Sequence, residues 1–369
     1  MMTGVASSSA TERYRQRFPA VEAGHFRRLQ DLWVSSIGLG TYLGDADERT
    51  DALYAEAIRS ALALGCNLLD SAINYRCQRS ERVIGRTLAA LVAEGTVARD
   101  EVFICTKGGY LPFDGEVPAD PARYLADTVV RAGLAPAEEI VAGCHCLSPA
   151  YLDHALATSL ANLRVQTIDV YYLHSPEQQL DAVGRDELER RLEAAFALLE
   201  RRCSEGRLRY YGVTTWNGLR TAPTAKSYLS LEQLAALAER TGGASHHFKV
   251  IQLPYNLAMP EAFSFRNQMV AVELMTVLEA AERLGLSVVI SASLLQSRLA
   301  ELPQALAERI PGLKSSAQRA VQFVRSTPGV TTALVGMKQR PHVEENLALA
   351  AHPLLGADTL AHLFDRSRR

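Results

Sequence analysis

The sequence predicts an α/β protein folded as a (β/α)8 barrel, that is, a TIM barrel. Eight short apolar runs alternate with longer amphipathic stretches, and several of these runs are apolar almost throughout. Parallel strands that are buried on both faces have this composition. The composition does not break between the units, which favours one closed barrel over an open sheet or several domains. The chain has 369 residues, 48% of them hydrophobic, which is enough for such a barrel.

Each predicted strand is a short run bounded by polar residues or turn formers. The eight strands are predicted at Ser36–Gly40, Asn67–Ala72, Val102–Thr106, Ile168–His174, Arg209–Val213, Lys249–Leu253, Ser287–Ala292 and Thr331–Val335.

The stretches between these strands have helical periodicity and, in places, helix start signals. Ser148 followed by Pro149 is typical of an N-cap and a first helical position. The helices are predicted at Asp51–Leu64, Glu81–Leu91, Ala150–Leu163, Glu187–Arg207, Ser230–Glu239, Asn267–Leu284, Ser316–Arg325 and His342–Ala350.

The segments outside this alternation suggest how the barrel is finished. Residues 1–20 read as a mobile polar tail, and residues 21–369 as a single barrel domain. Phe26–Leu29 and Leu32–Ser35 predict an N-terminal β-hairpin that closes the barrel bottom. Residues 108–147 and 294–313 are long loops that leave the C-terminal ends of the third and seventh strands, the face where barrel active sites lie.

Charge and cysteine usage exclude several classes of function. The formal net charge is -2 and the sequence pI is about 6.5, without a basic stripe, so no nucleic-acid partner is expected. There is no apolar run of 18 residues and no signal peptide, so we expect a cytoplasmic protein without a membrane partner. The six cysteines lack the paired spacing of a zinc site, and Cys144-His145-Cys146 has no second ligand cluster. We therefore expect reduced thiols and no metal.

Four proton-bearing side chains are predicted at consecutive strand ends on one barrel mouth. Asp70, Lys107 and His174 end the second, third and fourth strands, and Tyr75 follows on the loop after the second. A phenol is a poor acid at neutral pH, but a neighbouring ammonium favours its phenolate form and thereby lowers its pKa. Asp70 would hold Lys107 charged, Tyr75 would transfer the proton, and His174 would orient a carbonyl. Each residue alone has a structural explanation, whereas the four together indicate a catalytic site.

The motifs around these residues resemble those of the aldo-keto reductase superfamily. They are GLGTYLG, NLLDSAINY, FICTKGG, TIDVYYLHSPE, YYGVTT, VIQLPYN and LVGMKQRPHVEEN, in family order from Gly38 to Asn346. The resemblance implies NAD(P)H-dependent reduction of an aldehyde or ketone to an alcohol. It also implies that Asp70, Tyr75, Lys107 and His174 are the catalytic tetrad, with a small carbonyl compound as substrate.

The same resemblance implies a set of cofactor-binding residues, with some departures. The pair that holds the nicotinamide carboxamide is Thr214-Thr215 where the family usually has Ser-Asn, and Ser291 stands where a tyrosine usually stacks on the nicotinamide. Trp216 or Tyr255 could replace that ring. The other residues implied to contact the cofactor are Gly40, Thr41, Gln252, Glu345 and Asn346.

The segment after the eighth strand indicates a preference for the phosphorylated cofactor, NADP, with NAD not excluded. Lys338, Arg340 and His342 lie next to a predicted helix start. Basic side chains and free amides at a helix N-terminus favour phosphate, and relatives bind the 2′-phosphate in this segment. His342 replaces the arginine that several of them carry, which weakens one contact.

Parts of the sequence suggest three alternatives to an aldo-keto reductase. The glycines of GLGTYLG are spaced one residue too far apart for a Rossmann fingerprint, which would also leave Tyr75, Lys107 and His174 unexplained. A lysine Schiff-base aldolase needs an uncharged amine, which conflicts with Asp70 beside Lys107. A cofactor-binding regulatory or partner-binding barrel with little turnover stays open because of Thr215 and Ser291.

Overall fold

The centre of the protein is a closed barrel of eight parallel strands, seen in a computed structural model that describes residues 1–364. The described residues form twelve strands in all, and four of these lie outside the barrel. The strands are β1 (Phe26–Leu29), β2 (Leu32–Ser35), β3 (Ile37–Gly40), β4 (Leu68–Asp70), β5 (Phe103–Gly108), β6 (Ile168–His174), β7 (Leu208–Thr214), β8 (Phe248–Pro254), β9 (Arg266–Val270), β10 (Glu273–Thr276), β11 (Ser287–Ser291) and β12 (Thr332–Gly336). The barrel runs in chain order from β3 to β8 and on to β11 and β12, and β12 pairs with β3 to close it. The (β/α)8 prediction is confirmed, and all eight predicted barrel strands are present.

Helices lie between successive barrel strands, and others precede the barrel, follow it or lie in its long loops. They are α1 (Ser8–Gln16), α2 (Glu48–Ala63), α3 (Arg79–Ala93), α4 (Pro121–Leu125), α5 (Pro149–Leu163), α6 (Arg185–Ser204), α7 (Leu231–Gly242), α8 (Glu261–Ser264), α9 (Val277–Arg283), α10 (Gln304–Ala307), α11 (Ser316–Ser326), α12 (Arg340–Leu347) and α13 (Ala357–Phe364). Capping residues fix several starts; for example, Asp47 Oδ1 accepts a 2.7 Å hydrogen bond from Thr50 N at α2.

Two apolar clusters form the core because successive strand residues point to opposite faces. Leu68, Phe103, Val170, Val250 and Val289 point into the barrel and contact one another, and a larger cluster fills the space between strands and helices. The predicted N-terminal hairpin, β1–β2, adds Leu29, Leu32 and Val34 to the inner cluster, so it fills the barrel bottom.

The first twenty residues do not form the mobile tail that the sequence predicts. Residues 8–16 form α1, in which Ala10 and Tyr14 are fully buried, four residues apart on one helical face; Ala6, just before the helix, is also fully buried. Tyr14 Oη donates to Leu62 O at 2.6 Å, and Ala6 N donates to Asp169 Oδ1 at 2.7 Å. The sequence did not predict this helix because the residues between its buried positions are polar, so the segment as a whole looks like a polar tail.

The helix predicted at Asn267–Leu284 is wrong over its first half. Residues 266–276 form the antiparallel hairpin β9–β10, and only the shorter helix α9 follows. Asn267 Nδ2 donates to Leu219 O at 2.9 Å, and Leu231 N donates to Gln268 Oε1 at 2.9 Å. The two side-chain amides thus bond to backbone groups of the loop before α7 and of the first residue of α7, which holds this segment extended.

Candidate active site

A cavity of about 490 Å³ opens at the C-terminal mouth of the barrel. Strand ends from most of the barrel line it, including Gly40, Asp70, His174 and Gln252. The ends of parallel barrel strands meet on one face, which brings side chains together that are far apart in sequence. The long loops contribute Tyr110 and the segment around Leu294 to its wall.

Asp70 and Lys107 form a buried ion pair at the base of this cavity. Their strands are neighbours, and Asp70 aligns with Cys105, two residues before Lys107. Lys107 Nζ lies 2.6 Å from Asp70 Oδ1 and donates to Ser71 O at 2.6 Å. Burial lowers the pKa of Lys107, but the charge of Asp70 and the Tyr75 phenol outweigh this and raise that pKa above its usual value. Lys107 is therefore an ammonium at neutral pH.

Tyr75 lies directly beside this ammonium and lines the cavity. Lys107 Nζ is 4.9 Å from the centroid of the Tyr75 ring. Burial raises the pKa of Tyr75, and the nearby Lys107 charge opposes that rise without cancelling it. The sequence predicts the direction of the lysine effect, but a net lowering of this pKa is not observed because desolvation is larger.

His174 completes a cluster of four with Asp70, Lys107 and Tyr75. Its ring centroid is 5.9 Å from that of Tyr75 and 4.8 Å from that of Tyr110. Burial, together with the Lys107 charge, holds the pKa of His174 well below its usual value. The ring is therefore neutral and presents one donor and one acceptor nitrogen. Nδ1 is buried and has no partner within residues 1–364.

A row of hydroxyl and amide groups lies beside the cluster at the ends of β7 and β8. Gln252 Nε2 donates to Asp70 Oδ2 at 2.9 Å, and Thr214 Oγ1 donates to Gln252 Oε1 at 3.2 Å. Thr215 Oγ1 is buried and has no partner in the described chain. An unsatisfied buried hydroxyl beside two further polar groups fits a carboxamide, so these residues suit a nicotinamide. Ser291, Gly40 and Thr41 line the same cavity.

The remaining predicted cofactor residues lie outside this cavity, around the start of α12. Arg340 is exposed; its Nε donates to Glu344 Oε1 at 2.7 Å, and its Nη1 lies 3.9 Å from Glu56 Oε1. His342 is exposed, and its carbonyl accepts a 2.9 Å bond from Asn346 Nδ2. Lys338 and Glu345 are half-buried. The structure thus brings together the four catalytic candidates and six cofactor candidates, whereas Lys338, Arg340, His342, Glu345 and Asn346 do not line this cavity.

The sequence suggested Trp216 and Tyr255 as replacements for the tyrosine that usually stacks on the nicotinamide. Of these two residues, Trp216 lines the cavity and Tyr255 does not. Tyr255 is fully buried, stacks on Phe323 and bonds to Thr327, so it belongs to the core. Trp216 is 44% exposed and lines the cavity. The buried carboxylate of Glu177 holds its loop by accepting a 2.7 Å bond from Trp216 N and a 3.1 Å bond from Asn217 N.

Sequence reasoning missed Tyr42, Asn74 and the loop that anchors Tyr75. Tyr42 follows the end of β3, and its ring centroid is 5.0 Å from that of Tyr75. Tyr42 directly follows Thr41, a predicted cofactor residue, and this position could have indicated that Tyr42 lines the site. Arg76, Cys77 and Gln78 all have positive φ angles, of 49°, 53° and 68°. Such a turn has no sequence signature without glycine.

Arg76 anchors this turn to the loop and helix that follow β3. Its Nη2 lies 2.7 Å from Asp51 Oδ1, and its Nε donates to Asp45 O at 2.8 Å. Asp51 also pairs with Arg79 at 2.9 Å and with Arg86 at 3.2 Å. The residue after Tyr75 is therefore held by a buried ion pair, which fixes the loop that carries the phenol.

No helix within residues 1–364 is long and apolar enough to cross a membrane. No group of three or more His, Cys, Asp or Glu side chains in that part of the chain could hold a metal ion.

Comparison with known proteins identifies the family. A family model described as "Aldo/keto reductase family" matches residues 36–299. The chain belongs to this family. Among curated relatives of this aldo/keto reductase, prostaglandin F synthase 1 of Bos taurus is 26% identical over 153 residues, which cover 42% of this chain and 33% of the relative. The 6-dehydroglucose reductase of Novosphingobium aromaticivorans is 31% identical over 160 residues, which cover 41% of this chain and 42% of the relative. The matches thus span less than half of either relative.

Solved aldo-keto reductases share the fold along most of the chain. An aldo/keto reductase from Klebsiella pneumoniae, solved in complex with NADP and acetate, has a TM-score of 0.61 at 21% identity and covers 92% of this chain and 94% of its own. The holo form of an aldo-keto reductase from Bacillus halodurans has a TM-score of 0.63 at 20% identity, with coverages of 92% and 94%. At this identity the likeness establishes the fold.

Proposed function

We propose that this aldo/keto reductase reduces an aldehyde or ketone to an alcohol with a nicotinamide dinucleotide as cofactor and with Tyr75 as the general acid. One observation carries the proposal: the Tyr75 ring lies 4.9 Å from a buried Lys107 ammonium that Asp70 holds at 2.6 Å, at the wall of the cavity. A phenol beside a fixed buried cation is suited to give up a proton, because the cation stabilises the phenolate that remains.

Different residues around the cavity would bind the cofactor, donate the proton and orient the substrate. When bound, a reduced nicotinamide supplies the hydride that reduces the carbonyl carbon. Thr214, Thr215 and Gln252 would hold its carboxamide, with Ser291 beside the ring. Tyr75 would donate its hydroxyl proton to the carbonyl oxygen as negative charge develops there, and the neutral His174 would donate a hydrogen bond to the same oxygen and orient it.

We also propose that the cofactor is NADP, with Lys338, Arg340 and His342 near the 2′-phosphate and Glu345 and Asn346 near the adenine. Solved relatives with NADP support this choice, as does the basic segment at the start of α12. The pairing of Arg340 with Glu344 competes with a phosphate for the guanidinium, which leaves NAD as the alternative cofactor.

We propose that the substrate is a small carbonyl compound and that the protein acts in the cytoplasm. Tyr42, Tyr75, Tyr110 and Trp216 give the cavity an aromatic wall. The formal net charge of -2 gives no reason to expect nucleic acid or a membrane surface as a partner. The 108–147 insertion supplies Tyr110 and would therefore contribute to substrate selectivity.

The test is the Tyr75→Phe variant, with Tyr42→Phe as its matched control. Both changes remove one hydroxyl from neighbouring rings in the same cavity. We expect Tyr75→Phe to reduce turnover roughly 100- to 10,000-fold with NADPH and a simple aldehyde, and to leave the Kd for NADPH unchanged. Tyr42→Phe should stay within about threefold of the unmodified enzyme on the same general-acid reasoning. Equal turnover of the two variants would remove Tyr75 from the role of general acid.

A regulatory barrel that binds the cofactor with little turnover is the second candidate. Ser291 at the position of the usual stacking ring favours it, because the site lacks that aromatic contact. Tight NADPH binding without oxidation over a panel of aldehydes, ketones and sugars would select this alternative.

A further inference from the structure

The histidine of the Cys144-His145-Cys146 motif has a hydrogen-bond partner at each of its ring nitrogens. His145 is fully buried at the end of the 108–147 insertion. One ring nitrogen, Nε2, lies 2.7 Å from the backbone oxygen of His174. The other, Nδ1, lies 2.7 Å from Nε2 of Gln179. A residue that belongs to a long loop is thus bonded to the end of a barrel strand.

The partners of His145 fix which of its nitrogens carries the proton. Arg191 Nη1 donates to Gln179 Oε1, so the amide NH2 of Gln179 faces His145. An amide nitrogen only donates, and therefore Nδ1 accepts and Nε2–H donates to the His174 carbonyl. Burial lowers the pKa of His145 to about 4, so the ring is neutral at neutral pH. The tautomer is set by a chain of hydrogen bonds that begins at Arg191 on α6.

The bond to His174 takes the place of a strand pairing that ends one residue too early. On the β7 side, His174 is still aligned with Thr214, but on the β5 side the ladder ends at Gly108 and Leu173. Gly109 then turns away with a φ of 142°, and a Cβ there would stand 2.9 Å from His174 O and 3.0 Å from His145 Nε2. The imidazole therefore supplies the donor that β5 no longer provides.

The imidazole of His174 is positioned by ring contacts with Tyr75 and Tyr110 rather than by hydrogen bonds among the described residues. Its Nδ1 has no partner, and the chain turns at once, since Ser175 has a φ of 50°. The ring of Tyr110 lies between the two histidines, 5.0 Å from His145 and 4.8 Å from His174. His145 thus contacts both the backbone of His174 and the ring of Tyr110. Tyr110 is also held by its hydroxyl, which donates to Gln178 Oε1, and by its carbonyl, which accepts from Tyr151 Oη.

We infer that His145 is a positioning residue: it fixes the end of β6 and thereby sets where His174 and Tyr110 meet the substrate carbonyl. This inference rests on the proposed function. It concerns the substrate side of the cavity, because the proposed carboxamide contacts come from β7 and β8 and do not include His145.

The experiment compares His145→Leu with His145→Gln, and uses His154→Leu on the exposed face of α5 as the matched control. Leucine loses both hydrogen bonds, whereas glutamine keeps one donor and one acceptor. We expect His145→Leu to lower kcat/KM for an aldehyde about 100-fold, the size of a small misplacement of a reacting group, with an unchanged Kd for NADPH. His145→Gln should recover at least tenfold of that loss, and His154→Leu should behave as the unmodified enzyme.

A milder variant covers the case in which His145→Leu does not fold. Gln179→Met removes the donor to Nδ1, which frees the ring to place a proton there and to lose its bond to His174. We expect kcat/KM to fall at least fivefold while the Kd for NADPH is kept. A Gln179→Met or folded His145→Leu enzyme within twofold of the unmodified kcat/KM would overturn the inference. Absence of aldehyde turnover in the unmodified protein would instead count against the proposed function.

Discussion

Two ion pairs of this enzyme have nearly the same geometry and very different surroundings. Lys107 and Asp70 are 2.6 Å apart, with side chains that are 1% and 5% exposed. Arg340 and Glu344 are 2.7 Å apart, with side chains that are 59% and 51% exposed. If one member of the buried pair is removed, no water can solvate the charge that remains. In the exposed pair, water solvates either charge when its partner is lost. Distance alone therefore says little about which pair the enzyme depends on.

Breaking the buried pair should have the largest effect. Lys107→Met leaves the Asp70 carboxylate without its cation, which should lower the free energy of unfolding by about 3–5 kcal/mol. Turnover should fall roughly 100- to 10,000-fold, since the phenolate of Tyr75 loses its stabilising charge. Urea unfolding and steady-state reduction of an aldehyde measure the two effects, with Lys226→Met in an exposed loop as the control.

The same variant has a pH signature with a definite sign. The Lys107 charge opposes the rise that burial causes in the pKa of Tyr75, so its removal should raise that pKa further. The basic limb of the pH–rate profile should move to higher pH. A basic limb at the same pH in both proteins would show that Lys107 does not control the titrating group.

The ion pair between Arg76 and Asp51 is an intermediate case, because Asp51 keeps Arg79 and Arg86 if Arg76 is removed. We expect Arg76→Ala to lower turnover roughly ten- to a hundredfold through displacement of Tyr75, with a smaller loss of stability than Lys107→Met. Arg76→Gly should be more stable than Arg76→Ala by about 1 kcal/mol, because the backbone φ of 49° is easier for glycine. Urea midpoints of the two variants decide this, and a less stable glycine variant would contradict the positive φ.

The exposed pair should give the smallest effect. Arg340→Ala should lower the preference for NADPH over NADH about tenfold if the guanidinium binds the 2′-phosphate. A charge-assisted hydrogen bond contributes about 1.5–3 kcal/mol, and breaking the ion pair with Glu344 takes up part of that gain. Glu344→Gln should raise the preference about two- to fivefold, within the range of an exposed pair. Dissociation constants from fluorescence quenching measure both, and an unmodified enzyme with equal affinities would end the NADP proposal.

The sequence predicts well what depends on local patterns. Strand β6 begins and ends at Ile168 and His174 as predicted, because an apolar run buried on both faces has clear limits. Asp70 and Lys107 could be placed together because neighbouring parallel strands end on the same face. The helix α1 and the hairpin β9–β10 were missed, since polar residues such as Asn267 can satisfy distant backbone groups only when the fold is known.

The parts of the site that could not be predicted depend on loop conformation. His145 and Gln179 are 34 residues apart and meet through two loops, and no spacing in the sequence indicates that contact. Arg76 reads as a surface residue until its turn places it against Asp51. The pKa of Tyr75 also depends on burial, which the sequence pattern around it did not reveal.

The N-terminal segment has a consequence for the order in which the chain can fold. Ala6 N bonds to Asp169 Oδ1, a partner 163 residues later, and Met2 forms a bridge with Val165. During synthesis these early residues have no partner until β6 has left the ribosome. Closing so long a loop costs entropy that is recovered only when the distant contacts form. The contacts of Met2 and Ala6 with the region of β6 therefore form late, and until then these residues are exposed to chaperones or to other nascent chains.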